Sequence, residues 1–235
     1  MKKLILSVAA ALLTLGGLRA QEQDPATGVS EWLTSYSALV VDAPLDIRLV
    51  QIPASEAPKI VYDTKGSDTK FRFTVKDRVL KITERPSSQR VGRSQVTLYY
   101  SELEQLTVYD ASVTFADTLR RKLFDLSVGG NASLVLTLEV DDLKMDLAGK
   151  STVDLTGKAR YMSLFATTGK LEASGLEVMA ATVNAQSGAN VSLWVTDRFE
   201  GKTSTNATIR YKDSPSIVRG GAKFLGGDIR HLKEE

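Results

Sequence analysis

The chain of 235 residues contains no cysteine, which excludes a disulfide framework, a thiol nucleophile and any Cys-ligated metal site. It has a single histidine, His231, so neither a Ser/His/Asp triad nor a site built on several histidine ligands is expected. Tryptophan occurs only at Trp32 and Trp194. No basic stretch interleaves with aromatics in a nucleic-acid-binding pattern, and no charge of one sign dominates. The fold therefore has to rest on its apolar core, and 43% hydrophobic residues is an ordinary supply for a globular chain.

The one long apolar run, LILSVAAALLTL, follows Met-Lys-Lys at the start and precedes GGLRA. That pattern reads as a signal peptide over residues 1–20, cut after Ala20, because the run is too short to span a bilayer. Retention as an uncleaved anchor is the alternative. With no cysteine after it, lipid attachment is excluded there. Cleavage takes Lys2, Lys3 and Arg19 and leaves 27 of the 30 basic side chains against 28 acidic ones, a net charge of −1. Export to the periplasm, the outer surface or the medium follows, with no transmembrane helix in the mature chain. Residues 21–35, QEQDPATGVSEWLTS, read as a linker that Trp32 anchors.

What the chain does have is a repeat. From Val108 an apolar position returns at Val128, Leu147, Ala166, Ala185, Thr203 and Val218, at intervals of 20, 19, 19, 19, 18 and 15. A second column runs through Val113, Leu134, Val153, Leu171, Val191, Ile209 and Phe224. Between the columns lie short segments such as GGNAS, AGKST, TTGK, QSGAN and STNAT, whose small and turn-forming residues suit corners. On either side apolar residues alternate with period two, as in Leu126 and Val128, then Leu134 and Leu136, which is strand periodicity. Ankyrin and tetratricopeptide units need roughly 33 and 34 residues, so helical hairpins do not fit. A leucine-rich repeat would need an Asn or Cys at one fixed inward register, whereas Asn131, Asn184, Asn190 and Asn206 do not share a register. Asn131 and Asn206 read as corner residues with left-handed backbone angles. The expectation is an all-β, right-handed parallel β-helix whose coils of about 19 residues each carry three short strands and three bends, with neighbouring coils burying one another's faces.

Strand-like segments also fill residues 36–102, without the nineteen-residue beat: ALVVD, LDIRLVQI, KIVYD, KFRFTV, RVLKIT and QVTLYY. KDR at 76–78 reads as a hairpin turn and RPSSQRVGRS at 85–94 as an exposed loop. The organisation expected is a leader (1–20), a linker (21–35) and one solenoid domain (36–227). The domain has opening strands or a β-cap at 36–102 and regular coils at 103–227, and a charged tail follows at 228–235.

The segments LSVGGNASLVL, MDLAGKSTVDLTGKARYMSLFATTGKLEASGLEV and VNAQSGANVSL, closed by IRYKDSPSIVRGGAKF, resemble the secreted bacterial family of autotransporter adhesin head, or GIN, domains. The resemblance runs from about Tyr36 to Gly227. Corners with one glycine or none depart from the family's frequent pairs, and Lys212 stands after Tyr211 where a glycine is common. The resemblance implies a parallel β-helix with an adhesion-type role and carries over no catalytic residue.

Three polar groupings invite chemical readings. Asp154 and Glu172 follow the second column in adjacent coils, at a spacing that would suit a retaining glycosidase pair. An outward strand row on a solvated face, with Arg210 further along, explains them more simply. Asp141 and Asp142 beside Glu139 suggest either calcium or a charged bend; the sequence lacks the glycine-turned loop that calcium sites use. Arg120, Arg121 and Lys122 read as a solvated bend, with an anionic partner as the alternative. No cofactor and no metal are expected.

The candidate ligand-binding residue is Trp194. With Val191, Leu193 and Val195 inward, it turns outward onto a strip whose equivalents are Thr156, Ser174 and Lys212. There it either stacks on a partner or packs beneath the N-terminal linker or the terminal tail. The function expected is an exported, non-enzymatic binding or cell-surface module with no assigned partner, a surface glycan and an envelope protein being the candidates. The alternatives are a carbohydrate-active enzyme on the same scaffold and a passive envelope structural protein.

Overall fold

A computed structural model of the protein describes residues 28–66, 70–85 and 92–232, together with the backbone but not the side chains of 221–224. The leader, residues 21–27 of the linker, residues 86–91 of the expected loop, 233–235 of the tail and the Phe224 side chain lie outside the described residues. The described chain is all β. Its opening strands are β1 (Val29–Trp32), β2 (Ala38–Asp42), β3 (Leu45–Gln51), β4 (Lys59–Asp63), β5 (Phe71–Lys76), β6 (Val79–Glu84), β7 (Ser94–Tyr100), β8 (Gln105–Tyr109) and β9 (Ser112–Phe115). Long strands follow: β10 (Leu119–Gly129), β11 (Ser133–Leu147), β12 (Thr152–Ala166), β13 (Lys170–Ala185) and β14 (Asn190–Ser204). The last three are β15 (Thr208–Lys212), β16 (Ile217–Phe224) and β17 (Asp228–His231).

Both apolar columns stack in parallel register, so the fold is a β-solenoid. Val108 pairs with Val128, then Leu147, Ala166, Ala185 and Thr203. Val113 pairs with Leu134, Val153, Leu171, Val191 and Ile209. Apart from Thr203, a polar residue that is also buried, these are core residues.

The coil differs from three short strands. Each of β11 to β14 is one strand of 15 or 16 residues. It bends where alternation slips and two outward residues fall together: Asp141 and Asp142, Arg160 and Tyr161, Asp197 and Arg198. The bend leaves a single register position out of the β11–β12 ladder, so pairing resumes at once. A second adjustment sits at Gly157, whose φ of +110° is barred to other residues. A Cβ there would overlap the Leu138 carbonyl oxygen of the coil below.

From β8 onwards the tight corner between columns takes a left-handed residue in each coil, supplied by Asp110, Gly130, Gly149, Gly169, Gly188, Asn206 and Gly226. Asn206 takes this conformation as expected, whereas at the earlier corner Gly130 takes it and Asn131 does not. Asn131 instead donates its backbone N–H to Asp110 Oδ1 at 2.7 Å, tying one corner to the next.

The last step of each column is corrected. Thr203 pairs with Lys223, and Val218 stacks over Phe199 instead. Ile209 pairs with Ile229, not Phe224. An interval of 15 cannot return the backbone to the same column of a coil that needs about nineteen residues; Val218 is apolar because it follows the Phe199 row. The repeat consequently runs on through Asp228–His231, where the sequence suggested a tail.

The opening block contains solenoid coils and a cap, with the coils threaded out of order. β2 lies between β6 and β8, and β3 between β7 and β9, all parallel. Val41 thus joins Ile82 to Val108, and Ile47 joins Val96 to Val113. The chain lays down the second rung first, then the outermost one, then steps over to the third. Arg121 secures that crossover, its Nε and Nη2 donating to the carbonyls of Leu103 at 3.1 Å and Ser101 at 3.0 Å. Beyond the outermost rung the strands reverse: β5 pairs antiparallel with β6, β4 with β7, and β1 with β4. The β5–β6 turn is the expected hairpin, with Asp77 and Arg78 both at positive φ, as two-residue turns of this twist require. The expected linker is therefore partly strand, but it is held by the backbone pairing of β1 with β4, and Trp32, 74% exposed, is not its anchor.

Candidate functional site

Chemistry on a solenoid has to come from outward positions, because the inward ones are filled. The row that contains Trp194 begins with Arg120, Glu139, Lys158 and Glu177, in register on successive coils. Opposite charges alternate along it: Arg120 Nε meets Glu139 at 2.9 Å, and Lys158 Nζ meets Glu177 at 3.1 Å. These pairs are exposed, so each adds little to stability, but together they give a neutral, self-satisfied stripe. Of the basic run, Arg120 belongs to this stripe and Arg121 holds the crossover. Leu123 lies at the bend beside Lys122 and is exposed.

Trp194 closes the stripe. Val191, Leu193 and Val195 are buried and Trp194 turns outward, half-buried. Its lower neighbour is Glu177 and not Ser174, because Ser174, Gly175 and Leu176 bulge out of the β13–β14 ladder. Its upper neighbour is Lys212, whose Nζ stands 4.5 Å from the ring centroid as a cation–π partner. The indole N–H donates to Asp213 Oδ2 at 3.0 Å. That bond, then the Ser214 backbone N–H and the neighbouring Lys212 ammonium, hold the Asp213 carboxyl below the usual carboxylate range. His231 Nε2 lies 2.6 Å from the Asp213 carbonyl oxygen, and its ring is 5.1 Å from Tyr211, which stacks on Phe199 at 4.5 Å. Trp194 is thus partly covered by the turn after β15.

A second outward region is concave. Where β4 reverses beside β7, two registered rows converge: Thr114, Arg48, Thr97 and Val61, and Ser112, Asp46, Gln95 and Asp63. They line a groove of about 270 Å³. Arg93 braces its floor, holding the Asp46 carboxylate at 2.8 Å while donating to the Leu45 and Asp110 carbonyls. At the rim, hydrogen bonds from Lys65 hold the Asp63 carboxyl below its usual range. Sequence reasoning missed this groove, because strands distant in sequence assemble it.

The remaining candidates are dispersed. Asp154 and Glu172 are register partners on adjacent coils of an open strand row, and Glu172 accepts a hydrogen bond from Ser174 at 2.6 Å. Asp141 lies 3.7 Å from Arg160, and among the described residues no group of three His, Asp or Glu side chains is placed to hold a metal ion. Among the same residues no helix is long and apolar enough to cross a membrane.

Comparison with known proteins places this geometry. The family model described as "Putative auto-transporter adhesin, head GIN domain" matches residues 35–215. A crystal structure of a "putative adhesin" from Bacteroides fragilis NCTC 9343 aligns at 18% identity and a TM-score of 0.76, covering 87% of this chain and 96% of that one. Another "putative adhesin", from Parabacteroides distasonis ATCC 8503, aligns at 19% identity and 0.66, covering 86% and 96%. A "putative lipid binding protein" from the same Parabacteroides strain aligns at 15% and 0.65, covering 88% and 98%. At these identities the likeness shows a shared fold. No curated protein matches the chain.

Proposed function

Because the chain belongs to the auto-transporter adhesin head GIN domain family, we propose that it is an exported, non-enzymatic binding module of the adhesion type, which meets its partner with outward strand rows. The observation that carries this reading is the groove over β3, β4, β7 and β9, where carboxylate, guanidinium, amide and hydroxyl groups converge on one concave surface. Such a set of planar polar groups suits the hydroxyls of a surface glycan or the backbone of an envelope protein. Trp194 belongs to the proposal as a second contact, offering the part of its ring that Lys212 and Asp213 leave uncovered. The leader over residues 1–20 would deliver the chain to the periplasm or beyond.

The test is binding of the mature protein to a glycan array and to envelope proteins, repeated with Arg48→Ala, Gln95→Ala and Trp194→Ala. A weakening of at least about tenfold, equal to 1.4 kcal/mol, is expected from the groove variants, with thermal stability retained. Release of reducing sugar from a polysaccharide, abolished by Asp154→Asn, would replace this reading with the glycosidase one.

A further inference from the structure

Among the described residues, the last rung of the stack, β16 and β17, is uncovered. Phe199 is fully buried, yet Val218, stacked directly over it, is 51% exposed. Ile229, over the buried Ile209, is only partly buried, and Leu225 is exposed. On one side β17 pairs with β15; on the other, no described strand forms a ladder with it. A strand at the edge of a sheet turns alternate N–H and C=O groups away from its one neighbour, here beside apolar side chains, which favours pairing with another strand.

We propose that the last rung is the interface of a back-to-back dimer, in which β17 pairs antiparallel with β17 of a second copy about a two-fold axis through Ile229. The sequence Asp228-Ile229-Arg230 selects this register. In an antiparallel pair, residues directly opposite project to the same face. Centring on Ile229 sets Asp228 opposite the partner's Arg230, and Arg230 opposite the partner's Asp228. The Asp228–Arg230 ion pair within each chain then becomes a four-charge network of alternating sign. The two isoleucines meet on the core side and carry the second column across the seam. His231 comes opposite the partner's Gly227, where no side chain competes.

Neighbouring registers fail. A one-residue slip places Arg230 opposite the partner's Ile229 and mixes outward charge with inward apolar side chains. A two-residue slip in either direction sets arginine against arginine or aspartate against aspartate. The other end of the solenoid is closed by antiparallel strands, so the contact is isologous and stops at two copies.

The absence of cysteine makes the test clean. An Ile229→Cys variant of the mature chain carries one thiol, on the proposed axis. Antiparallel partners have Cα atoms about 4.5–5.5 Å apart, within the range a disulfide spans. Light scattering of the unmodified protein is expected to give twice the chain mass, and mild oxidation should convert most Ile229→Cys to a covalent dimer. Asp228→Cys alone should not cross-link, whereas an equimolar mixture of Asp228→Cys and Arg230→Cys chains should. Arg230→Asp should dissociate the dimer, and the exchange Asp228→Arg with Arg230→Asp should restore it, with far-UV circular dichroism confirming that each variant folds. A monomeric unmodified protein, whether its last rung is covered by its own terminal residues or by a foreign strand, would overturn the proposal. So would cross-linking no greater at Ile229→Cys than at Asp228→Cys.

Discussion

The two ends of the solenoid solve the same problem differently. At the opening end the outermost rung, β6 and β7, buries Leu80, Ile82, Val96, Leu98 and Tyr100 as completely as any coil in the middle. Antiparallel β5 and β4 fold back beside it, and Tyr62, Phe71 and Phe73 cluster there with ring centroids 4.8–6.0 Å apart. At the closing end no described strand follows the rung of β16 and β17, and Val218 is half open to solvent. Reversal of strand direction accounts for the difference: a parallel rung invites another parallel rung, whereas an antiparallel hairpin turns the chain back and ends the ladder. Interleaving adds to it, because a rung threaded between two others is held by contacts from both sides before the regular coils begin.

The largest effect is expected where both ends depend on the same stack. Gly157→Ala puts a Cβ onto the Leu138 carbonyl oxygen and forces a non-glycine residue to φ of +110°. Denaturant unfolding should show a loss of about 3–5 kcal/mol, combining backbone strain with overpacking. A loss below about 1 kcal/mol would mean that the coils slide to accept the side chain.

Next comes a direct contrast between the ends. Leu80→Ala removes a fully buried side chain from the outermost opening rung and should cost about 2–5 kcal/mol. Val218→Ala at the open end should cost less than about 1 kcal/mol in the monomer. Hydrogen exchange should order the strands the same way, with β6 and β7 protected and β17 exchanging early unless the dimer forms. Equal costs at the two positions would remove the distinction between capped and open ends.

A smaller effect tests two buried hydroxyls in the opening block. The hydroxyls of Tyr36 and Tyr100 are buried without a hydrogen-bond partner, and such groups lower stability. Tyr100→Phe should be neutral or stabilising by up to about 1 kcal/mol. Burial pushes the Tyr100 hydroxyl up to about 12, and burial, then the neighbouring Tyr100, pushes Tyr36 higher still. The unfolded chain would ionise both near 10, so the folded state holds protons that the unfolded state releases. Stability should therefore fall as pH rises above about 10 and continue to fall towards 12. Tyr100→Phe should flatten that slope, as an unfolding series across the alkaline range would record.

The smallest effect belongs to the closing end. The Asp213 carboxyl is held below the usual carboxylate range, first by the Trp194 N–H, so its contribution is present above its unfolded value and disappears as pH falls through the depressed folded one. In a Trp32→Phe background, Trp194 emission should shift in acid well before the chain unfolds, and Asp213→Asn should abolish that transition. A titration identical in both proteins would remove the Trp194–Asp213 bond as its source.

Much of this architecture was legible in the chain. The columns from Val108 to Thr203 and from Val113 to Ile209 were readable because period two fixes which side chains face inward, and a constant coil length fixes where they return. The corners were readable because the left-handed conformation favours glycine or a short polar side chain. Trp194 was correctly turned outward, since its neighbours Leu193 and Val195 define the inward face. Its lower neighbour was misjudged, because a bulge shifts register without changing composition. Asp154 and Glu172 share a row as their spacing implied, but spacing does not reveal whether a cleft surrounds them.

The sequence by itself determined that there would be stacked coils, which faces they bury and where they turn, because those features depend on residues two or about nineteen positions apart. Only the tertiary structure decided the threading of β2 and β3 between later strands, the groove that this threading and the reversal of β4 create, and the extension of the ladder to β17. In each of these the partners are separated by tens of residues at no constant interval, or are set by backbone hydrogen bonds that any side chain can make. Local pattern therefore carries no record of them.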